Sequence, residues 1–281
     1  MRPIHAVRLS AAAIACVLMI GTAGGGEVPR EIASQYRPAV EKLRQAYTHA
    51  AIEGTSEVAY PSKDKSRTQE FVMRAAGQKR RLDVTTTGQK GMGLKVGATQ
   101  LRMATPQGSL TTTMDPGSKF FDDATQTGYA DTVSQIDNRC LLNFPYALDS
   151  NGTILDMLLN PGVKVTGVKK TKGDGQPLVQ INYEETSRHE GHTGLWKSQL
   201  VLSPSEGWAL QGFTRTLDRG SNQVIQRAKL TYSGAENGIP LVESIQFESL
   251  EGGKSIRRES IEITKFKLGD PDDYYFTSFA F

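Results

Sequence analysis

Apolar and polar residues alternate along most of the chain after Gly54, and this pattern predicts β-strands. The alternation is clearest in two segments, each with three apolar residues on one face: Val179, Ile181 and Tyr183 within Leu178 to Glu184, and Trp196, Leu200 and Leu202 within Trp196 to Leu202. Strands with one apolar and one polar face are typical of an antiparallel sheet that is covered on a single side.

Further strands follow from the same pattern and from the turn residues between them, such as Asn160-Pro161-Gly162 and Asn237-Gly238. They are Thr55 to Tyr60, Gln69 to Ala75, Lys79 to Thr86, Gly93 to Ala104, Ser109 to Met114, Trp208 to Leu217, Val224 to Tyr232, Leu241 to Phe247 and Ser255 to Leu268. The apolar positions change phase at Gly212, which indicates a bulge there. We expect ten to twelve strands, more than an open twisted sheet usually holds without curling.

Two regions have helical spacing instead. Apolar residues three and four apart predict an amphipathic helix from Pro38 to Ala51, with Pro38 in its first turn and Gly54 just past its end. In the middle of the chain, Tyr129 to Asn160 predicts two short helices broken at Pro145. The expected fold is mainly β (α+β): a strongly curved antiparallel sheet or half-barrel, with these helices on its concave face.

The first 23 residues have the order of a secretory signal peptide: Arg2 and Arg8 without an acidic residue, an apolar run from Leu9 to Ile20, and small residues up to Ala23. The run is too short to cross a bilayer as a helix, so we expect cleavage near Ala23 and a periplasmic or secreted protein. Because the apolar run continues past Cys16, acylation at that cysteine is disfavoured. No later segment is long enough to span a membrane.

Composition and charge narrow the classes that remain. Of 281 residues, 38% are hydrophobic and 22% charged, and the formal net charge is +3. Loss of residues 1–23 removes two arginines and leaves 258 residues close to neutrality, which gives no reason to expect a nucleic-acid partner. Cys140 is then the only cysteine, so no internal disulfide can form. Without a repeat or a linker, residues 24–281 are expected to form one β-rich domain, with a helical insertion at about 129–160.

The order of elements, an exported chain with one amphipathic helix and then many antiparallel strands interrupted by helices, resembles the periplasmic lipoprotein-carrier superfamily of LolA-like and LppX-like half-barrels. The resemblance also includes Gly194-Leu195-Trp196 to Leu200-Val201-Leu202-Ser203-Pro204 followed by Gly207-Trp208, where a strand ends in a turn and the chain enters the next strand. It implies a curved sheet whose concave apolar face is covered by helices, and a lipid or acylated protein as partner.

A curved sheet of this kind either is filled by its own side chains or leaves an apolar cavity beneath the helices. In the second case the protein would be a non-catalytic envelope protein that binds a hydrophobic ligand, a lipid or the acyl chain of a lipoprotein. The ligand-binding candidates are the large apolar residues Tyr47, Phe71, Met73, Met103, Phe144, Leu155, Leu158, Trp196, Leu200, Phe213, Tyr232 and Phe247. In the first case the same residues form a solid core, and the protein would act as a structural or interaction protein through its surface or its aromatic tail, Tyr274 to Phe281.

Catalytic and metal-binding motifs are sparse. His189, Glu190 and His192 have side chains that suit zinc, but their spacing is not that of a helical metalloprotease motif and their position predicts a hairpin loop. A hydrolase or metalloenzyme based on these three residues is the third alternative. Cys140 lies in an apolar stretch that disfavours a reactive thiolate, and Asp270, Asp272 and Asp273 lack the pattern of a calcium loop. We expect no enzyme activity, no metal and no cofactor.

Overall fold

In a computed structural model of the protein, residues 28–93, 95–118, 120–122, 124–139, 142–148, 152–189, 192–219 and 222–277 are described. Within these ranges the chain forms one antiparallel sheet and three α-helices. The strands are β1 (His49–Tyr60), β2 (Lys65–Ala76), β3 (Lys79–Lys90), β4 (Thr99–Thr105), β5 (Gly108–Met114), β6 (Thr125–Gln126), β7 (Val163–Gly173), β8 (Gln176–His189), β9 (His192–Ser203), β10 (Ala209–Arg219), β11 (Asn222–Glu236), β12 (Ile239–Glu251) and β13 (Lys254–Leu268). The helices are α1 (Arg30–Tyr47), α2 (Tyr129–Arg139) and α3 (Ile154–Leu158).

The sheet is two meanders joined through their ends. Its strand order is β6-β5-β4-β3-β2-β1-β13-β12-β11-β10-β9-β8-β7, so the first and last strands pair at the centre. The predicted fold class is confirmed. The number of described strands is 13, above the expected range, because β6 and β7, which the sequence pattern did not predict, each add an edge strand.

The core indicates that the sheet is curved. Buried apolar residues from β3 through β7, taken across the strand order, belong to one cluster that also contains residues of α1 and α3. Ten adjacent strands laid flat would span about 45 Å at ~4.8 Å per strand, wider than the ~27 Å length of an 18-residue helix. One helix can join such a cluster only if the sheet bends around it. We call the helix-covered face the inner face, and the opposite face the outer face.

Two glycines mark irregular positions in the strands. Gly212 lies at a register shift between β9 and β10, which confirms the predicted bulge, and an added Cβ there would lie 2.6 Å from the carbonyl oxygen of Ala228. Gly54 was predicted to lie just past the end of a helix. It lies instead at a register shift inside β1. Its Cβ would be 2.4 Å from the carbonyl oxygen of Glu262 and 2.9 Å from Cζ of Phe71, so only glycine fits between β13 and the Phe71 ring.

Helix α1 starts earlier and ends earlier than the sequence predicted. It spans Arg30–Tyr47, with Pro38 in its interior, and β1 begins at His49, so Ala50 and Ala51 are in a strand. A proline inside a helix removes one hydrogen bond and is normally unfavourable. Here the turn before Pro38 buries Ile32 and Tyr36, and this packing keeps the helix continuous across the proline.

The mid-chain insertion forms the rest of the inner cover. As predicted, it contains two short helices with a break at Pro145; Cys140 is outside the described residues. Residues 142–148, which we call the plug segment, form turns between α2 and α3, and residues 142–147 are buried. The start of α3 is fixed by a capping box in which Thr153 Oγ1 accepts from the Asp156 amide, while Asp156 accepts from the Thr153 amide.

The aromatic tail folds back onto the outer face, as far as it is described. A 3-10 turn, Asp273–Phe276, buries Phe276, and Arg81 Nη1 donates to the carbonyl oxygen of Tyr275 at 3.0 Å. The Arg74 guanidinium lies 4.2 Å from the centre of the Tyr275 ring. Phe279 and Phe281 lie beyond the described residues. Among the helices of the described ranges, none is both long and apolar enough to cross a bilayer.

Candidate functional site: the inner face of the sheet

The floor of the inner face is a continuous apolar row across the strands. Strand pairing places Ile181, Leu200, Phe213, Ala228 and Phe247 side by side on β8 to β12. Cross-strand partners point to the same face of a sheet, and all of these residues except half-buried Phe247 are buried. The row therefore forms an apolar surface that is five strands wide.

The plug segment covers this row. The Phe144 ring lies 5.4 Å from the Phe213 ring and 6.4 Å from the Phe247 ring, measured between centres, and both contacts are edge-to-face. One backbone hydrogen bond also joins the plug segment to the floor, since the Leu210 amide donates to the carbonyl oxygen of Pro145 at 3.2 Å. Aromatic contacts and this hydrogen bond together hold this part of the cover in place.

Several phenols, among them Tyr47, Tyr146 and Tyr232, line the covered part of the inner face. The Tyr47 hydroxyl donates to the Pro240 carbonyl at 2.9 Å and accepts from the Val242 amide at 3.1 Å, and the Tyr232 hydroxyl donates to the Leu210 carbonyl at 2.6 Å. Burial raises the pKa of Tyr47, Tyr146 and Tyr232 well above the usual value for a phenol. These side chains are neutral at physiological pH, so they add polar atoms to the core without adding charge.

The cover and the floor fit closely where α2 meets the sheet. A gap of about 10 Å³ remains there, lined by residues that include Tyr47, Met73, Ile136 and Tyr146. Such a volume is at the lower limit for one water molecule. Arg80 Nε donates to Asp137 Oδ1 at 3.3 Å at the same place, where burial raises the pKa of Asp137 although the arginine opposes the shift. In this conformation the gap has no room for an acyl chain.

Most of the predicted ligand-binding residues come together here. One cluster contains Tyr47, Phe71, Met73, Phe144, Leu155, Leu158, Leu200 and Phe213, with Tyr232 and Phe247 packed against it. Trp196 is on the same face but outside that cluster, in the row that also contains Leu217.

Met103 does not join this group. It pairs with Arg81 of β3, and Arg81 pairs in turn with Arg74 of β2, the residue that lies over the Tyr275 ring. Met103 is therefore on the outer face, near the C-terminal turn. The sequence pattern identified a buried strand correctly but could not show which of its faces points towards the helices.

A second row, which the sequence analysis missed, lies next to the apolar floor. Two residues further along the same strands, pairing places five polar residues side by side on β9 to β13, and we call them the polar row: Ser198, Arg215, Gln226, Ser249 and Arg257. Ser198 and Ser249 are buried, each with 6% of its surface exposed. Ser198 lies between Trp196 and Leu200 on one face, and this polar residue at an apolar position was the available signal.

The two arginines of the polar row are packed on aromatic rings and paired with acids. Arg215 Nη2 is 3.1 Å from Glu185 Oε2, and its guanidinium lies 4.8 Å from the centre of the Trp196 ring. Arg257 pairs with Glu259 and lies 5.3 Å from the centre of the Phe247 ring. A guanidinium held over a ring and against a carboxylate is fixed in one orientation.

Three atoms of the polar row have no hydrogen-bond partner in the described part of the chain: Ser198 Oγ, Arg215 Nε and Arg257 Nε. Each is buried. An unpaired buried polar group costs about 1–3 kcal/mol, so a ligand that supplies the missing hydrogen-bond partner would relieve this cost.

The outer face has an open groove of about 770 Å³ over β10 to β13 and β1. Its walls carry exposed charged residues, among them Arg227 and Arg258, which both donate to Glu248. These hydrogen bonds hold the pKa of Glu248 below its usual value. Part of the charge of this groove is thus paired, and the groove has both polar and apolar lining residues.

The candidate site of His189, Glu190 and His192 lies outside the residues whose side chains are described. Asp270 pairs with His49, Asp273 pairs with Lys79, and Asp272 caps the amide of Tyr274. Among the described residues, no group of three or more potential ligands is arranged for a metal ion.

No protein-family model and no curated protein matches the chain. Among solved structures, it is similar to a domain named for outer-membrane lipoprotein sorting from Vibrio parahaemolyticus, with 8% identity, a TM-score of 0.48, and coverage of 87% of this chain and 97% of that one. A DUF1329 family protein from Desulfovibrio piger shows 12% identity and a TM-score of 0.44 over 88% and 97% of the two chains. A LolA superfamily protein from Nitrosomonas europaea shows 11% identity and a TM-score of 0.45 over 86% and 97%. One of these structures belongs to the LolA group that the sequence resembles.

Proposed function

We propose that the protein is an exported, non-catalytic binder of an acyl chain, which lies on the apolar floor of the inner face in place of the plug segment. The observation that carries this proposal is the position of Phe144 between Phe213 and Phe247. A short turn, and not a second sheet or a long helix, covers this part of the apolar floor.

The energetics favour exchange of the plug for a ligand. The floor consists of long strands that are hydrogen-bonded to one another, so it does not depend on the plug for its backbone structure. Apolar burial is not directional, and an acyl chain can cover the same surface at about 25 cal/mol per Å². The closed state would then be the ligand-free form of the carrier, in which the plug segment occupies the apolar floor that the ligand would otherwise cover.

Export is part of the proposal and is supported by the arrangement of residues 1–23, which lie outside the described structure. A protein that carries an apolar chain through water needs to shield the chain on all sides. The inner face, with its neutral phenols and its helices, provides such shielding, whereas the outer groove is open to solvent and carries the charged side chains of Arg227, Glu248 and Arg258.

The test combines recovery of ligand with an opened variant. The full chain is expressed in a Gram-negative host, purified from the envelope and extracted with organic solvent for mass spectrometry. A fluorescent fatty acid is then titrated into the delipidated protein, into Phe144→Ala and into Phe276→Ala. Phe276 is the matched control, because it is an equally buried phenylalanine on the outer face.

We expect lipid in the extract and saturable binding of the fatty acid. Phe144→Ala should bind it at least about tenfold more tightly, because truncation of a buried phenylalanine penalises only the closed state, while Phe276→Ala should bind like the wild type. Absence of lipid from repeated preparations, together with no saturable binding by any variant, would overturn the proposal.

The close packing beneath the helices also favours a second candidate function, that of a structural or interaction protein that works through its surface. In that case Phe144→Ala and Phe276→Ala would lower stability alike, and neither would bind fatty acid.

A further inference from the structure

The polar row lies where the polar end of a bound lipid would be. Arg215 is two residues after Phe213 on β10, and Ser249 is two residues after Phe247 on β12, so the polar row is about 7 Å from the apolar floor along the strands. Both rows face the same side of the sheet. A chain that occupies the floor with its end pointing along β10 reaches the polar row with its first polar atoms.

The unpaired groups of this row define what it can bind. The guanidinium Nε–H groups of Arg215 and Arg257 are donors without a partner in the described structure, and arginine has no acceptor. The neighbouring carboxylates, Glu185 and Glu259, already accept from these same arginines. The row therefore offers donors, and a matching ligand has to supply acceptor oxygens.

Position and packing favour a phosphate. The side chains of Arg215 on β10 and Arg257 on β13 are partly exposed, 22% and 39%, and Arg215 lies directly beside Ser198 of β9. Stacking on Trp196 and on Phe247 fixes the planes of the guanidinium groups before a ligand arrives. Planar, oriented guanidinium groups match the geometry of a phosphate, which accepts several hydrogen bonds at once.

We infer that the polar row is a subsite for the phosphodiester headgroup of the lipid, in which Arg215 and its cross-strand neighbour Ser198 donate to the phosphate oxygens. This inference rests on the proposed function, because it places the headgroup of the same lipid whose chains lie on the floor. It also predicts the substrate class: phosphodiester lipids bind in preference to neutral lipids with identical chains.

The experiment uses Trp196 as the reporter. The chain has two tryptophans, and Trp208 is stacked on Tyr36 at the other end of the inner face. In a Trp208→Phe background, fluorescence of Trp196 is followed while dioctanoyl phosphatidylglycerol, dioctanoylglycerol or inorganic phosphate is added to the full-length mature protein. Arg215→Gln and Arg215→Lys test the site. Arg227→Gln is the matched control, since it removes an ion-paired arginine from the outer face.

The phospholipid should bind about tenfold more tightly than dioctanoylglycerol, and this preference should vanish in Arg215→Gln, be reduced in Arg215→Lys and remain in Arg227→Gln. Inorganic phosphate should neither bind measurably nor compete. Equal binding of the two lipids would overturn the headgroup subsite and leave the proposed function intact. Competition by inorganic phosphate at similar concentrations would assign the row to the free ion and overturn the inference too. If neither lipid binds, the proposed function itself fails.

Discussion

The apolar floor and the polar row are neighbours on the same strands and the same face, yet their side chains are in opposite situations. Leu200 is fully buried against the cover, whereas Ser198, two residues away on β9, is buried with a hydroxyl that has no partner in the described structure. When the plug segment covers the floor, the apolar side chains of the floor are packed against it, whereas polar atoms of the polar row still lack a hydrogen-bond partner in the described structure. From this difference we infer that the floor determines stability and the polar row determines which ligand is preferred.

The largest change in unfolding free energy should come from truncating an apolar side chain of the floor. Leu200→Ala should lower the free energy of unfolding by about 2–5 kcal/mol, because it removes apolar contacts and leaves a cavity that the strands cannot close. Urea denaturation followed by circular dichroism measures this. A loss below about 1 kcal/mol would show that the floor is not packed as described.

A smaller loss is expected at the centre of the sheet. In Gly54→Ala, the new Cβ would meet the Glu262 carbonyl oxygen at 2.4 Å, so β1 or β13 has to move. We expect a destabilisation of about 1–3 kcal/mol in the same assay. Gly175→Ala is a useful comparison, because its Cβ would meet nothing within 4 Å, although its positive φ of 80° adds a backbone cost there. If Gly54→Ala were the milder of the two, the close approach of β13 would be wrong.

The stability of the cover is expected to depend on pH through the capping box of α3. Backbone and side-chain hydrogen bonds from Thr153 lower the pKa of Asp156, so the stabilisation from the capping box is complete above the unfolded pKa and is lost as pH falls through the lower folded pKa. Thr153→Ala should cost about 1 kcal/mol at pH 7. The difference between this variant and the wild type should shrink in titrations below about pH 4. A difference that grows on acidification would contradict the role of Asp156.

The smallest change in unfolding free energy is expected in the polar row, and it distinguishes this row from the apolar floor. Ser198→Ala replaces an unpaired buried hydroxyl by an apolar group, and we expect a change in unfolding free energy within about 0.5 kcal/mol of zero, or a slight gain. Calorimetry on Ser198→Ala and Leu200→Ala in parallel makes the comparison. A loss above about 2 kcal/mol for Ser198→Ala would mean that the hydroxyl has a structural partner.

Part of this architecture could be predicted from the sequence, and the reasons for the misses are physical. Alternation revealed β8 to β13 and the bulge at Gly212, because one face of each strand is dry. Strand β7 was missed because Lys164, Lys169, Lys170 and Lys172 interrupt its apolar pattern, as is common at a sheet edge. The start of α1 was misplaced because Pro38 was interpreted as a first-turn residue, although burial of Tyr36 before it compensates for its missing hydrogen bond.

The candidate site was predictable only as a list of large apolar residues. Phe144, Phe213 and Phe247 do meet, but alternation alone does not reveal that Met103 faces outwards, since both faces of β4 are covered, by α2 and by the C-terminal turn. The polar row was invisible for a related reason. Ser198, Arg215 and Arg257 have the composition of a solvent-exposed face, and only strand register places them beside the apolar floor.

The exchange of plug for ligand can be tested most directly by hydrogen–deuterium exchange of the delipidated protein with and without a saturating fatty acid. We predict faster amide exchange across residues 142–148 when the fatty acid is bound, because these residues leave the floor, and unchanged protection in β9 to β12 beneath it. Unchanged exchange across residues 142–148 at a saturating concentration of fatty acid would contradict the exchange of plug for ligand.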